Sequence, residues 1–221
     1  SFGDAEWPLG ECAGPTWPRR IGAPPFSPEP HMPHDVANTP SGPASPVFGT
    51  PCTAVIALGA NAGHRLASLQ AAVDALGDTP GLEVTALSPV CESAPSAPSV
   101  PGAPAPYLHA IVVVRTALVP AALVERGRAV EEAFHHDGVG TRPGQREIGV
   151  DLVSYDGRVR AAPGATLPHP AAHRSARVLV PWYCLDPAAV LPGHGPVGEL
   201  LAAQGSAGVV PRRDLYLSLP D

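Results

Sequence analysis

The chain reads as an α+β fold, a mainly antiparallel ferredoxin-like sheet with helices packed on one face, and three features predict it. Short apolar runs of strand type alternate with two segments of helical spacing. The order is strand-helix-strand, twice over, which suits such a sheet. Asp156-Gly157 between two apolar runs is the strongest hairpin signal in the chain.

Residues 53–58, apolar from Ala54 onward, read as a buried strand. Leu66, Leu69, Val73 and Leu76 recur at helical spacing and give an amphipathic helix ending near Gly77. Residues 82–90 and 107–116 read as strands, and 119–134 as a second helix with Pro120 in its first turn. Residues 148–155 and 158–160 flank the Asp156-Gly157 turn. Residues 178–183 and a helix over 197–203 complete a body spanning 52–221.

Residues 1–51 are different. Proline recurs there too often for a helix or a sheet to run through, so the segment is an arm without its own hydrogen-bond ladder. It holds Trp7, Trp17, Phe26 and Phe48, aromatics that an ordered arm would place against a surface. We expect the arm to pack on the body, or to join two copies of the chain as a homo-oligomer.

Composition narrows the partners. Of 221 residues 14 are basic, all of them arginine, and the formal charge of −6 argues against a nucleic-acid footprint. The lack of lysine excludes Schiff-base chemistry and a Walker-type lysine. No apolar run is long enough for a membrane span, and Cys12, Cys52, Cys91 and Cys184 have no metal-ligand spacing. A cytoplasmic protein with reduced thiols and a small-molecule substrate is the expectation.

The most informative stretch is Arg146-Glu147-Ile148-Gly149-Val150-Asp151, preceded by Thr141-Arg142-Pro143-Gly144-Gln145 and followed by Leu167-Pro168-His169-Pro170. On a strand Glu147, Gly149 and Asp151 share one face, so carboxylates there would converge on a cation. The stretch resembles the hydroxymethyldihydropterin pyrophosphokinases (HPPK) of folate synthesis, with Gly149 where the family has the first of two aspartates. Other landmarks of that resemblance follow in order, from an opening strand ending in Gly59-Ala60-Asn61 to Cys91-Glu92-Ser93-Ala94-Pro95 and Tyr107-Leu108-His109-Ala110.

The resemblance implies an HPPK fold and a set of site residues. Ser93, Pro95 and Tyr107 fall at pterin contacts, Glu131 at a nucleotide contact and His169 at a phosphate contact. Arg146 remains in the groove, and His109 replaces an asparagine that reads the pterin edge. Arg177 replaces an aromatic that closes on the pterin opposite Tyr107, and Ser175 replaces an arginine, with Arg174 beside it. His135-His136-Asp137 reads as a complement to the helix dipole.

In the family two Mg²⁺ ions bridge the ATP phosphates and the pterin hydroxymethyl, and one aspartate holds two such ions poorly. The expectation is therefore a repurposed enzyme, independent of metal and ATP and needing no cofactor. Asp151, His109 and Glu131 would be its catalytic groups in an acid/base cyclase, isomerase or lyase step of specialised biosynthesis. The alternative is a divergent pyrophosphokinase using ATP and Mg²⁺, with Glu147 assisting Asp151 as metal ligand. A second alternative is a non-catalytic binding protein.

Overall fold

A computed structural model describes residues 51–94, 106–134, 147–162 and 164–220 of the chain. The arm over 1–50, with Trp7 and Trp17, lies outside the described residues.

The core of the sheet is two long strands. β1 (Cys52–Ala60) pairs antiparallel with β4 (Tyr107–Thr116) along its whole length and, on its other side, with β5 (Gly149–Tyr155). β2 (Leu82–Leu87) and the short β3 (Cys91–Ser93) both pair with β4, and β10 (Val210–Pro211) adds to β3 at the edge. The sequence reads 82–90 as one strand. The chain instead leaves the ladder after Leu87, and the side chain of Ser88 accepts from the Ile111 backbone N–H before β3 begins.

Helices cover both faces of the sheet, a departure from the expected single face. On one side α1 (Arg65–Gly77) and α2 (Pro120–Ala133) bury Leu69, Val73, Leu76, Leu123 and Val130 against Ile56, Leu58, Leu108 and Val112. On the other, α3 (Ala176–Leu185) and α4 (Val197–Gln204) bury Leu179, Val180, Trp182, Val197 and Leu201 against Val55, Ala57, Ile111 and Val153. Two-sided burial explains why 54–58 is continuously apolar rather than alternating. α3 hides its period because it is apolar on most sides and carries Pro181 inside.

The Asp156-Gly157 turn forms as its chemistry demands, with φ of 50° and 67°, and the Arg158 N–H donates back to the Tyr155 carbonyl at 2.9 Å. Its outgoing strand does not return along β5. β6 (Arg160–Ala162) pairs with β7 (Ala165–Leu167) in a separate small hairpin, and β8 (Val190–Leu191) pairs with β9 (Gly195–Pro196) in another. Cys184 is disulfide-bonded, contrary to the expectation of four reduced thiols, and the Cys91 thiol is buried in the second core. Among the described residues no helix is long and apolar enough to cross a membrane.

Candidate active site

β5 is an edge strand, and its outer edge must find partners elsewhere. Two elements supply them. α2 lies so close that a Cβ on Gly127 would come 3.1 Å from the Val150 carbonyl oxygen, and four residues further on Glu131 Oε1 accepts from the Val150 N–H at 2.7 Å. Beyond it the register slips, Leu152 facing Ile56 and Ser154 facing Val55, so Val153 is the extra residue of a bulge and its carbonyl accepts from the His169 N–H at 2.8 Å.

Between these contacts lies a groove of about 300 Å³, lined by Val124, Arg128 and Glu131 of α2, Val150, Asp151 and Leu152 of β5, Ala165 and Thr166 of β7, and His169 with Pro170. Asp151 is exposed in it. Its neighbours Val150 and Leu152 point to the α2 face, so they pack beneath the strand and leave the carboxylate in water. His169 Nδ1 accepts from the Ala171 N–H at 3.2 Å, which leaves the neutral ring its hydrogen on Nε2, a donor for an anion. Arg128 was not among the residues singled out from sequence. The signal was available, since Val124, Arg128 and Glu131 are spaced at four and three residues along one helix face.

A second cluster sits two strands away. His109 is buried, its Nε2 is 2.9 Å from Ser93 Oγ, and its ring stacks on Tyr107 at 5.6 Å between centroids and 11° between planes. The guanidinium of Arg177, from the first turn of α3, lies 4.8 Å over the Tyr107 ring. Burial, reinforced by the nearby charge of Arg177, pushes the His109 pKa down to about 3. The imidazole is therefore neutral at physiological pH.

The expected acid/base pairing of His109 with Asp151 does not form. β1 runs between them, with Gly59 facing both His109 and Gly149 and Ala57 facing Asp151, so the two residues stand on strands about 10 Å apart. A neutral, buried histidine tied to Ser93 is a fixed polar edge rather than a proton carrier. Glu131, the third expected catalytic group, spends one carboxylate oxygen on the β5 backbone. The structure thus groups Ser93, Tyr107, His109 and Arg177 in one place and Asp151, Glu131 and His169 in another, on either side of β1. Pro95, Arg146 and the His135-His136-Asp137 run lie outside the described residues. Glu147 is half-buried just before β5.

Among the described residues Asp151 is the one carboxylate exposed on the β5 side of the groove, and no cluster of three ligating side chains occurs. Mg²⁺ is usually held by one or two carboxylates together with substrate phosphates. The donor set fits a cation that arrives with a nucleotide, and it fits a pair of ions less well.

The family described as 7,8-dihydro-6-hydroxymethylpterin-pyrophosphokinase (HPPK) matches residues 55–187. The chain belongs to this family. A 2-amino-4-hydroxy-6-hydroxymethyldihydropteridine pyrophosphokinase of Mycobacterium tuberculosis is 34% identical over 161 residues, covering 67% of this chain and 81% of the relative. One of Methylorubrum extorquens is 32% identical over 156 residues, covering 71% and 96%. Among solved structures, wild-type HPPK-DHPS of Plasmodium falciparum matches with a TM-score of 0.52 at 12% identity, over 72% of this chain and 46% of that one. This chain thus spans less than half of that longer protein, and the likeness supports the HPPK fold.

These relatives overturn the expectation of a metal- and ATP-independent cyclase, isomerase or lyase, because proteins a third identical across most of the HPPK body are named pyrophosphokinases. The expectation that no cofactor is needed falls with it, since HPPK enzymes depend on ATP. Glycine at 149 in place of one aspartate does not take the chain out of a family whose model matches residues 55–187.

Proposed function

We propose that the chain is a 6-hydroxymethyl-7,8-dihydropterin pyrophosphokinase that transfers pyrophosphate from ATP to the pterin hydroxymethyl. The observation that carries this reading is that Asp151 of the groove shares a sheet face with the cluster of Tyr107 and His109, two strands away. His109, Gly59 and Gly149 form one row across the sheet, and Ile111, Ala57 and Asp151 the next, so the carboxylate stands beside the line joining the two clusters.

In this reading the cluster of Ser93, Tyr107 and His109 holds the flat ring. Tyr107 supplies a face for stacking, and the neutral imidazole, fixed by Ser93, offers an uncharged hydrogen-bonding edge. The groove between α2 and β7 takes the nucleotide, where His169 donates to phosphate and Arg128 supplies positive charge. Asp151 would hold the Mg²⁺ that comes with ATP, and Mg²⁺ supplies charge neutralisation at the phosphates. The protein's share is positioning two substrates across β1 with little covalent chemistry of its own.

The test is direct. The protein is incubated with ATP, MgCl₂ and 6-hydroxymethyl-7,8-dihydropterin, and AMP release is followed. AMP formed only when pterin and magnesium are both present supports the proposal. No AMP, combined with no magnesium-dependent ATP binding by calorimetry, sinks it.

A further inference from the structure

Arg177 occupies a place that helix stability does not explain. It lies in the first turn of α3, where the macrodipole disfavours a cation, and no acidic residue accompanies it there. Its side chain is exposed, yet its guanidinium is laid over the Tyr107 ring at 4.8 Å rather than spread into solvent. It also contributes to keeping His109 neutral. This one charge thus bears on both His109 and the face of Tyr107.

The distance restricts what can happen between them. A flat ring in van der Waals contact with both Tyr107 and the guanidinium needs about 7 Å between the two. At 4.8 Å no ring fits, so the guanidinium must rise by roughly 2 Å to admit one. A long, exposed side chain at a helix start can do so while the helix stays packed through Leu179 and Val180.

We propose that Arg177 is the specificity-determining cover of the ring site, exchanging its contact with Tyr107 for a contact with the face of an incoming pteridine, and that it selects electron-rich rings. The proposal rests on the reading of this cluster as the pterin site. A guanidinium is attracted to a π face in proportion to its electron density, whereas an aromatic cover stacks well on electron-poor rings. A 7,8-dihydropterin is richer in electrons than the oxidised pterin, so an arginine cover favours the reduced ring. Ser93 and the neutral His109 read the ring edge in both cases and do not discriminate by ring charge.

The experiment compares dissociation constants of 6-hydroxymethyl-7,8-dihydropterin and fully oxidised 6-hydroxymethylpterin by anaerobic calorimetry, for the full chain and for Arg177→Phe and Arg177→Leu. The unaltered protein should prefer the reduced ring, and both variants should lose that preference by roughly three- to tenfold. Arg177→Leu reads the loss of the cation without adding a new aromatic face, and serves where Arg177→Phe fails to fold. A ratio of the two affinities that is the same in all three proteins overturns the role of Arg177 and leaves the pterin site standing. Absence of binding of either ring to the unaltered protein overturns both.

Discussion

Glu131 accepts a hydrogen bond from the backbone of Val150, the residue immediately before Asp151, and so fixes the strand that presents the groove's carboxylate. A bond from an N–H to a charged acceptor contributes about 1.5–3 kcal/mol, and partial exposure lowers this to about 1 kcal/mol here. Glu131→Ala should therefore lower the melting temperature by a few degrees and raise the KM for ATP more than that for the pterin. Steady-state kinetics with each substrate varied in turn checks this. An equal rise in both would mean that Glu131 supports the whole sheet rather than the nucleotide groove.

Gly127 should resist substitution despite its place in a helix. Alanine would recover about 1 kcal/mol of helix propensity, but its Cβ would meet the Val150 carbonyl at 3.1 Å and Val150 Cγ1 at 3.2 Å. Val150 is paired with Leu58 on one side and held by Glu131 on the other, so it cannot readily retreat. Gly127→Ala is expected to be less stable in chemical denaturation, and increased stability would show that α2 can ride outward.

Asp151 and Gly149 give opposite predictions. Asp151→Asn removes the carboxylate exposed on β5, and turnover should fall by a factor of about 10² to 10³. Gly149→Asp places a second carboxylate on the same strand face, and should lower the magnesium concentration needed for half-maximal AMP release. A magnesium response identical in Gly149→Asp and the unaltered protein would place the cation elsewhere.

His109 predicts a pH dependence of stability. Its pKa is about 3 in the folded chain against 6.5 ordinarily, so between these values the unfolded chain binds a proton that the folded chain does not. Stability from this group is complete above pH 6.5 and is lost as pH falls toward 3. In denaturant titrations from pH 7 to pH 4, His109→Asn should flatten the decline by close to one proton. A decline of equal slope would show that other groups govern it.

How much of this was visible in the chain differs from element to element. The spacing of Leu66, Leu69, Val73 and Leu76 specified α1 because one face only is buried. α3 could not be oriented, since Leu179, Val180, Trp182 and Leu185 are all buried and leave no polar face to read. Asp156-Gly157 fixed a local turn but could not say which strand would follow, because pairing of β6 with β7 depends on contacts beyond the turn. In the site, Ser93, Tyr107 and His109 were legible as a group from their motifs. Their separation from Asp151 was not, since β1 comes between β4 and β5 in space but not in sequence. The place of Arg128 in the groove follows from helix period, since it shares a face of α2 with Val124 and Glu131.

The short strand β10 has a consequence for handling the protein. Val210 pairs with Glu92, the Arg212 N–H donates to the Val90 carbonyl, and Glu92 is gripped by both Arg65 and Arg212, so the chain's last turns shield the rim of β3. A truncation or tag that strips this segment would uncover a row of unpaired amides on a stable sheet. Such a protein would fold and then self-associate, so loss of the tail would register as turbidity and higher-order species on sizing columns before any loss of secondary structure.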